Sequence, residues 1–300
     1  MAIKIPRSRV IYSFSPQHKP VARAKPRDIV VFETIDALGG QITSEDTPID
    51  KLDWSRVNPA TGPLYVEGAE PGDTLVVDIL DISVEDKAVI LVVPGAGALH
   101  DKKFSPRVKI LRRSKDFLEF DSIRIGLRPM VGVIGVAPRE GEVATGDLGE
   151  HGGNMDVALL TRGTRLYLPV FVEGALLALG DLHMVQGDGE ICVAAAEASG
   201  EVTVRVDVIK NRSPRYPILE TSNRYALLVP GDTLDSAVYR ASEEIVEALK
   251  RQYNLEFEEA YMLASLVVDL RINQVVDPHK GVRAEVPKKY ISVDSLLRSS

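Results

Sequence analysis

The sequence of 300 residues contains a single cysteine, Cys192, and one tryptophan, Trp54. One cysteine excludes an internal disulfide and a zinc site built from several thiolates. No apolar run approaches the ~20 residues that a membrane-spanning helix requires. The first residues also lack the continuous apolar segment that is typical of signal peptides. These absences predict a cytoplasmic protein that has no membrane partner.

Positive charge is also scarce. The chain has 36 Lys and Arg residues against 43 Asp and Glu residues, which gives a formal net charge of −7. This balance argues against a nucleic-acid partner, because neutralising phosphates requires a basic face. The basic residues between Lys102 and Arg113 are more typical of a solvated strand face. A hydrophobic fraction of 45% is that of an ordinary globular protein with a sizeable core.

Short segments rich in β-branched residues recur through the first three quarters of the chain. Gly, Pro and Asp separate them every 8–12 residues or so, which is typical of a sandwich or barrel. The predicted strands lie at residues 28–35, 74–83, 87–94, 107–112, 116–120, 122–126, 131–136, 191–198 and 201–210. We therefore predict a mostly β body over residues 1–228 that carries the functional site.

The pattern changes after Pro230, where apolar residues recur at helical spacing. Asp232 is a potential cap for a helix over about residues 233–252. A second helix is predicted at about 256–268, followed by a strand at 270–277. Residues 229–300 are thus expected to form a helix–helix–strand α+β segment packed on the β body.

The stretch from Thr145 to Cys192 gathers metal-competent side chains around two glycine-rich loops. Its acids and histidines are Asp147, Glu150, His151, Asp156, Asp181, His183, Asp188 and Glu190. Glycine permits positive φ, so such loops turn sharply and approach a ligand or ion closely. Convergence of the two loops predicts a metal-assisted hydrolytic site.

Four residues are our candidate metal ligands: Asp36, Asp156, Asp181 and His183. Asp181 and His183 are two residues apart, so on an extended segment they share one face. Imidazole with carboxylates favours zinc, whereas an all-oxygen subset of these side chains would suit calcium or magnesium. Each of these residues also has a simpler explanation as a turn, cap or hydrogen-bonded residue.

The remaining polar residues of the stretch are candidates for the chemistry itself. Glu190 is the predicted base that takes a proton from water and passes it to nitrogen, with Glu197 in reserve. His151 and Asp188 complete the predicted catalytic set. The backbone amides of Gly152 and Gly153, together with Asn154, are candidates for binding the substrate oxygen.

Nucleophilic catalysis by a side chain is not indicated. Cys192 lies at the start of an apolar segment, where a lone cysteine is usually inert packing. No Gly-x-Ser-x-Gly motif is present. The glycine clusters also do not match the spacing of nucleotide-binding loops.

Seven phrases occur in one order along nearly the whole chain. They are FETIDALGGQI (32–42), NPATGPLYVEGAEPGDTL (58–75), GVIGVAP (132–138), HGGNMD (151–156), GTRLYLPV (163–170), GDLHMVQGDGE (180–190) and DLRINQVVDP (269–278). Together they resemble the acetamidase/formamidase family of amide hydrolases. Residues 194–197 (AAAE) depart from the family, whose members tend to have GTAE there, and this bears on the substrate.

The resemblance implies hydrolysis of a small aliphatic amide to a carboxylate and ammonia. It also implies a mostly β fold, a homo-oligomer (a dimer or higher) and often a divalent metal. Two alternatives stay open. One is a non-enzymatic β protein that binds structural calcium or a small ligand; oxygens would saturate such a calcium site and leave His183 outside it. The other is a hydrolase of the same fold that acts on lactams.

Overall fold

The computed structural model describes residues 2–299, and over them the chain is mostly β, as predicted. The three helices are α1 (Leu234–Tyr253), α2 (Phe257–Val267) and α3 (Val293–Leu296). In chain order the strands are β1 (Ile3–Ile5), β2 (Val10–Ile11), β3 (Ser13–Phe14), β4 (Ala22–Ala24), β5 (Ile29–Thr34), β6 (Ala60–Val66), β7 (Thr74–Val84), β8 (Lys87–Val92), β9 (Arg107–Ser114), β10 (Phe117–Phe120), β11 (Ile123–Gly126), β12 (Met130–Gly135), β13 (Val143–Ala144), β14 (Leu148–Gly149), β15 (Gly152–Asn154), β16 (Arg165–Pro169), β17 (Leu177–His183), β18 (Glu197–Ala198), β19 (Gly200–Ile209), β20 (Arg212–Ser213), β21 (Ile218–Glu220), β22 (Arg224–Gly231), β23 (Asp269–Gln274), β24 (Lys280–Pro287) and β25 (Arg298–Ser299).

Two large sheets form the body. The nine-stranded sheet has the order β1-β5-β19-β7-β16-β21-β22-β24-β23. The twelve-stranded sheet follows the path β11-β10-β9-β8-β18-β17-β12-β15-β14, and β6 joins β17 to β2 and β4. Many neighbours in these sheets are far apart in the sequence, so the sheets close only when distant segments meet.

The main core lies between the two sheets. Alternate residues of β19 (Val202, Val204 and Val206) point into it, as the period of two predicts. Leu179 and Leu182 of β17 are buried in the same cluster from the other sheet. Burial of this apolar face supplies the main driving force for packing the sheets together.

Helix α1 packs on the other face of the nine-stranded sheet. Ala241, Ile245 and Leu249 lie on its buried side, in one apolar cluster with Leu227 of β22 and Val282 of β24. Asp232 was the predicted cap, but the N-cap is Thr233, whose hydroxyl accepts a hydrogen bond from the backbone N–H of Ser236. Thr233 and Ser236 bond reciprocally at this end of the helix, which Asp232 does not do.

Most predicted strands are present, but the strand predicted at residues 191–198 is wrong except for β18. Ile191 is exposed, and both Glu190 and Val193 have left-handed backbone conformations, with φ of 44° and 84°. Such φ values are incompatible with an extended strand. The segment is instead a loop that brings Glu190 and Glu197 to the same place.

Two further observations concern the organisation of the chain. No helix within residues 2–299 is long and apolar enough to cross a membrane. The division near residue 228 stays a prediction, and the residues around it lie inside β22, which pairs with β21 and β24.

Candidate active site

Strands β12 and β17 form the base of the site. Their antiparallel register places Gly132 opposite Asp181 and Met130 opposite His183. Asp181 has a φ of 55°, so the strand departs from a regular pleat at this residue. Despite this, Asp181 and His183 project into the same polar cluster, as their spacing predicted.

Asp156 reaches this cluster from the chain that follows β15. The backbone N–H groups of Met155 and Asp156 both approach the carbonyl oxygen of Gly132, at 3.1 and 3.3 Å. Asp156 has a φ of 43°, and this left-handed turn places its carboxylate over Gly132. The cluster therefore joins the two loops that the sequence predicted would converge.

His183 lies at the centre of the buried acids. Its Nε2 is 3.0 Å from Oε2 of Glu197, 3.1 Å from Oδ1 of Asp181 and 3.9 Å from Oδ1 of Asp156. On the other side of the ring, Nδ1 is 2.8 Å from Oε1 of Gln186. The amide nitrogen of Gln186 donates to the carbonyl oxygen of Asp156, which fixes the orientation of the amide. His183 Nδ1 is therefore the donor of its pair, and Nε2 faces the carboxylates.

The acids and His183 fall into two groups whose ligand atoms lie within 4.8 Å of one another. They are Asp156–His183–Glu190 and Asp181–His183–Glu197. Both oxygens of Asp156 are buried without a hydrogen-bond partner, and Oε2 of Glu197 makes no hydrogen bond of good geometry although His183 Nε2 is 3.0 Å away. Because unpaired buried carboxylates are costly, this donor set fits a bound cation. These groups can hold a metal ion.

Gly132 leaves the space that the carboxylates need. A Cβ at this position would lie 2.5 Å from Oδ1 of Asp156 and 2.5 Å from Oδ2 of Asp181. Its φ lies outside the left-handed region, so the requirement for glycine at this point is one of space rather than backbone conformation.

The local electrostatics reflect burial and crowding. Burial, followed by the charge of Asp181, raises the pKa of Asp156 to about 7. Burial also raises the pKa of Glu197 to about 8. Burial alone would lower the pKa of His183, but Glu197 and Asp181 raise it well above the usual value. Burial opposes ionisation of Asp181 too, yet His183 brings the pKa of Asp181 below its usual value.

Two further acids, Glu190 and Asp277, lie beside this cluster. Burial and the charge of Asp156 raise the pKa of Glu190 well above its usual value. Asp277 follows β23 and accepts a hydrogen bond of 2.9 Å from Nδ2 of Asn154. Its pKa is also raised well above the usual value by burial and by Asp156. Carboxyl groups with raised pKa values can hold and pass protons near neutral pH.

The loop that carries Glu190 is fastened to the C-terminal part of the chain. The backbone N–H of Gly189 donates to the carbonyl of Asn273, and Val275 donates back to Gly189. Beside it, the buried guanidinium of Arg283 donates to Asp188 over 2.6 Å. Asp188 thus fastens the loop on its outer side while Glu190 faces inward.

A cavity of about 380 Å³ opens above the acids. Asn154, Asp181, Glu190, Glu197 and Asp277 form its floor. Its walls are largely apolar: besides Asn58 and Gly146, they comprise Ala37, Leu38, Trp54, Val57, Leu91, Val93, Ala96, Val193 and Ala194. An apolar pocket over a few convergent ionisable groups is the usual form of a small-molecule active site.

Asp36, His151 and Asp188 do not join the central cluster. Asp36 accepts hydrogen bonds from the N–H groups of Leu38 and Gly40 in its own turn. His151 lines a different cleft, in edge contact with Phe14. Asp188 is paired with Arg283. This geometry gives no support to the metal role predicted for Asp36 or the catalytic roles predicted for His151 and Asp188.

Gly152 and Gly153 also lie away from open space. They are the first two residues of β15, which pairs with β12 on one side and β14 on the other. Strand partners therefore flank their amides, and this placement does not favour an oxyanion role. Asn154, in contrast, lines the pocket, and its Oδ1 is buried without a partner.

Sequence reasoning passed over Asp277 and Gln186. Asp277 lies about 120 residues from Asn154, with which it pairs, so no local spacing indicates its role. Both residues lie within phrases that carried the family resemblance, at 180–190 and 269–278. A search for polar residues inside those phrases would have found them.

The sequence and fold were compared with known proteins. The sequence model described as Acetamidase/Formamidase family matches residues 7–147 and 139–290. A formamidase of Methylophilus methylotrophus is 29% identical, over 91% of this chain and 87% of its own. A solved acetamidase from Bacillus halodurans has a TM-score of 0.94 and 40% identity, covering 98% of this chain and 99% of its own. A gamma lactamase from Delftia acidovorans has a TM-score of 0.66 and 25% identity, covering 95% and 90%.

Proposed function

Because the chain belongs to the acetamidase/formamidase family and is an amide hydrolase, we propose that it cleaves the C–N bond of a primary aliphatic amide with water activated by a bound divalent metal. The observation that carries this proposal is the position of His183. Its Nε2 faces buried carboxylate oxygens of Asp156 and Glu197, and Glu197 also lines the pocket.

Four side chains would hold the cation: His183 and the three acids whose oxygens lie 3.0–3.9 Å from its Nε2, namely Asp156, Asp181 and Glu197. When bound, a divalent ion lowers the pKa of a bound water to about 7 and polarises a carbonyl oxygen. Gln186 would keep the His183 ring oriented by accepting the hydrogen bond from Nδ1. We propose zinc, because an imidazole at the centre of the donor set does not suit the all-oxygen shell of calcium.

Glu190 is the residue that we assign to proton transfer. It lines the pocket, and its pKa is raised by burial and by Asp156. It takes a proton from the attacking water as the water oxygen bonds to the carbonyl carbon. It then gives that proton to the amide nitrogen as the C–N bond breaks and the electron pair leaves with nitrogen. The products are a carboxylic acid, which ionises, and ammonia.

Asn154 would orient the substrate. Asn154 lines the pocket; its Nδ2 donates to Asp277, and its buried Oδ1 has no hydrogen-bond partner. This oxygen can accept an N–H of a primary amide, which leaves the carbonyl directed at the floor. Asp277 holds Asn154 in that orientation.

Ammonia release from formamide, acetamide and propionamide tests the proposal. Enzyme is assayed as purified, after chelation, and after restoring zinc or calcium. We expect activity to disappear with the chelator and return with zinc. Full activity in metal-free protein, confirmed by elemental analysis, would eliminate the metal-assisted route and leave amide hydrolysis by carboxyl groups.

Lactam hydrolysis is a second candidate. It is favoured by the structural similarity to the gamma lactamase from Delftia acidovorans, which extends over 95% of this chain. A cyclic amide carries one N–H, which Asn154 Oδ1 can accept in the same way. Ring opening of 2-pyrrolidone, followed as a newly formed primary amine, separates this candidate from the first.

A cytoplasmic homo-oligomer stays a proposal. A row of exposed apolar residues on α2, including Phe257, Tyr261, Met262 and Leu266, supports self-association. Strand β23, beside it, is an edge strand of its sheet. Light scattering coupled to size-exclusion chromatography would measure the assembly, and a monomeric mass would contradict it.

A further inference from the structure

The cavity is much larger than the smallest amides. It has a volume of about 380 Å³, whereas one water occupies about 30 Å³ in the liquid. Formamide has three non-hydrogen atoms and acetamide has four, so either would fill only a small part of this space. Pockets of about 300–1,000 Å³ usually bury much larger ligands.

The chemistry of the walls restricts what fills the remaining space. Apart from Asn58, the polar lining residues belong to the floor, and most of the wall presents apolar side chains such as those of Leu38, Trp54 and Leu91. Among the lining residues of the described chain, none is Lys or Arg. An anionic substituent would therefore meet acids below it and find no cation beside it. Water against such walls is readily displaced by an apolar group.

The walls are fixed by packing behind them. Leu38, Leu91 and Ala194 belong to a buried apolar cluster that also contains Ile42 and Leu52. The hydrogen bonds of Asp36 brace the turn that carries Leu38. A wall supported in this way does not collapse onto a small ligand, so a small amide would leave much of the pocket filled by water.

Resting on the proposed amide hydrolysis, we infer that the preferred substrates are uncharged primary amides whose acyl group is apolar and has about five or more carbon atoms, aliphatic or aromatic. The carboxamide would lie on the acidic floor, and the acyl group would lie against Leu38, Trp54 and Val193. Each CH2 group that the walls cover should then raise kcat/KM by about threefold to fourfold.

A substrate series tests this inference with the unmodified enzyme. Ammonia release is measured for formamide, acetamide, butyramide, hexanamide and benzamide, with the size-matched anion adipic acid monoamide as control. We expect kcat/KM for hexanamide and benzamide to exceed that for formamide by at least tenfold, and the anion to be a poor substrate. Formamide or acetamide as the best substrate would overturn the inference and leave amide hydrolysis intact.

A pair of variants tests whether the acyl group of the substrate lies in this pocket. Ala96 lines the cavity, while Ala98 lies on the same loop outside it. Ala96→Phe should lower kcat/KM for hexanamide at least tenfold more than it lowers kcat/KM for formamide. Ala98→Phe should alter neither. Equal losses for both amides in Ala96→Phe would contradict the assignment.

Binding separates this inference from the proposed function. If no amide is hydrolysed, the proposed hydrolysis is wrong. Calorimetry can still measure whether the pocket binds larger apolar amides more tightly than small ones. Hexanamide should bind the zinc-loaded enzyme at least tenfold more tightly than acetamide, and Ala96→Phe should remove the difference. Equal affinities would overturn the inference whatever the catalytic result.

Discussion

His183 and Gln186 are joined by a hydrogen bond of 2.8 Å from Nδ1 to Oε1, and this contact aims the other ring nitrogen at the buried carboxylates. The same glutamine donates to the backbone carbonyl of Asp156. The side-chain amide of Gln186 thus connects His183 on β17 to Asp156, which follows β15. Contacts of this kind orient metal ligands and commonly alter metal affinity by 10-fold to 100-fold when removed.

The first prediction concerns Gln186→Leu. Without the amide, His183 loses its fixed tautomer, and the carbonyl of Asp156 loses its donor. We expect zinc affinity to fall by about 10-fold to 100-fold, with a matching loss of activity at limiting zinc. Gln252→Leu is the control, since the side chain of Gln252 bonds with Ser292 and Ser295, away from the candidate site. Unchanged zinc affinity in Gln186→Leu would contradict the proposed orientation.

The second prediction concerns Gly132→Ala. The new methyl group would lie 2.5 Å from oxygens of both Asp156 and Asp181, so at least one carboxylate must move. We expect loss of bound metal and a decrease in kcat/KM of at least about 100-fold. Gly126→Ala adds the same methyl group on β11, where it would meet nothing within 4 Å. That control should retain its metal and its activity.

The third prediction distinguishes a base from a ligand. Glu190→Gln keeps the size of the side chain but removes its ability to carry a proton. We expect kcat to fall by about 10²-fold to 10⁴-fold, while bound zinc and KM change little. If elemental analysis shows that the variant loses its zinc, Glu190 acts as a ligand rather than as the base.

The fourth prediction concerns pH and stability. Burial lowers the pKa of His151 to about 4 from its usual 6.5. Between these values the unfolded chain binds more protons than the folded one, so this residue makes stability fall as the pH is lowered from about 6.5 to 4. The effect amounts to about 3 kcal/mol.

The substitution His151→Gln isolates this contribution, because glutamine does not titrate. Urea unfolding at pH 7 and at pH 4.5 should show a smaller loss of stability on acidification in the variant than in the unmodified protein. Parallel losses in the two proteins would mean that His151 is protonated in the folded state.

The strands were predictable where apolar side chains alternate visibly in the local sequence. Val202, Val204 and Val206 alternate along β19 and are buried as that pattern requires. Their partners were not predictable, since β19 pairs with β5 and β7, which lie more than 100 residues away. The alanine-rich run before Glu197 reads as a strand, but the left-handed conformation of Val193 depends on the completed fold.

The site was predictable to a similar extent. Asp156, Asp181 and His183 lie in glycine-rich phrases whose composition is visible in the sequence. The metal role of Asp36 stays a prediction without support from its contacts, because an acid that braces a turn and an acid that binds an ion look alike in sequence. Asp277 was missed because its importance arises from a contact with Asn154 across the fold.

The bonds that join Gly189 to Asn273 and Val275, and Asp188 to Arg283, also have a consequence for biosynthesis. A nascent chain on the ribosome has the acids of the candidate site between residues 156 and 197 long before it has residues 273–283. Until those last partners emerge, the loop that holds Glu190 has nothing to dock against. We therefore expect catalytic competence to arise late in translation, because a chain that ends before residue 273 lacks the partners that fasten this loop.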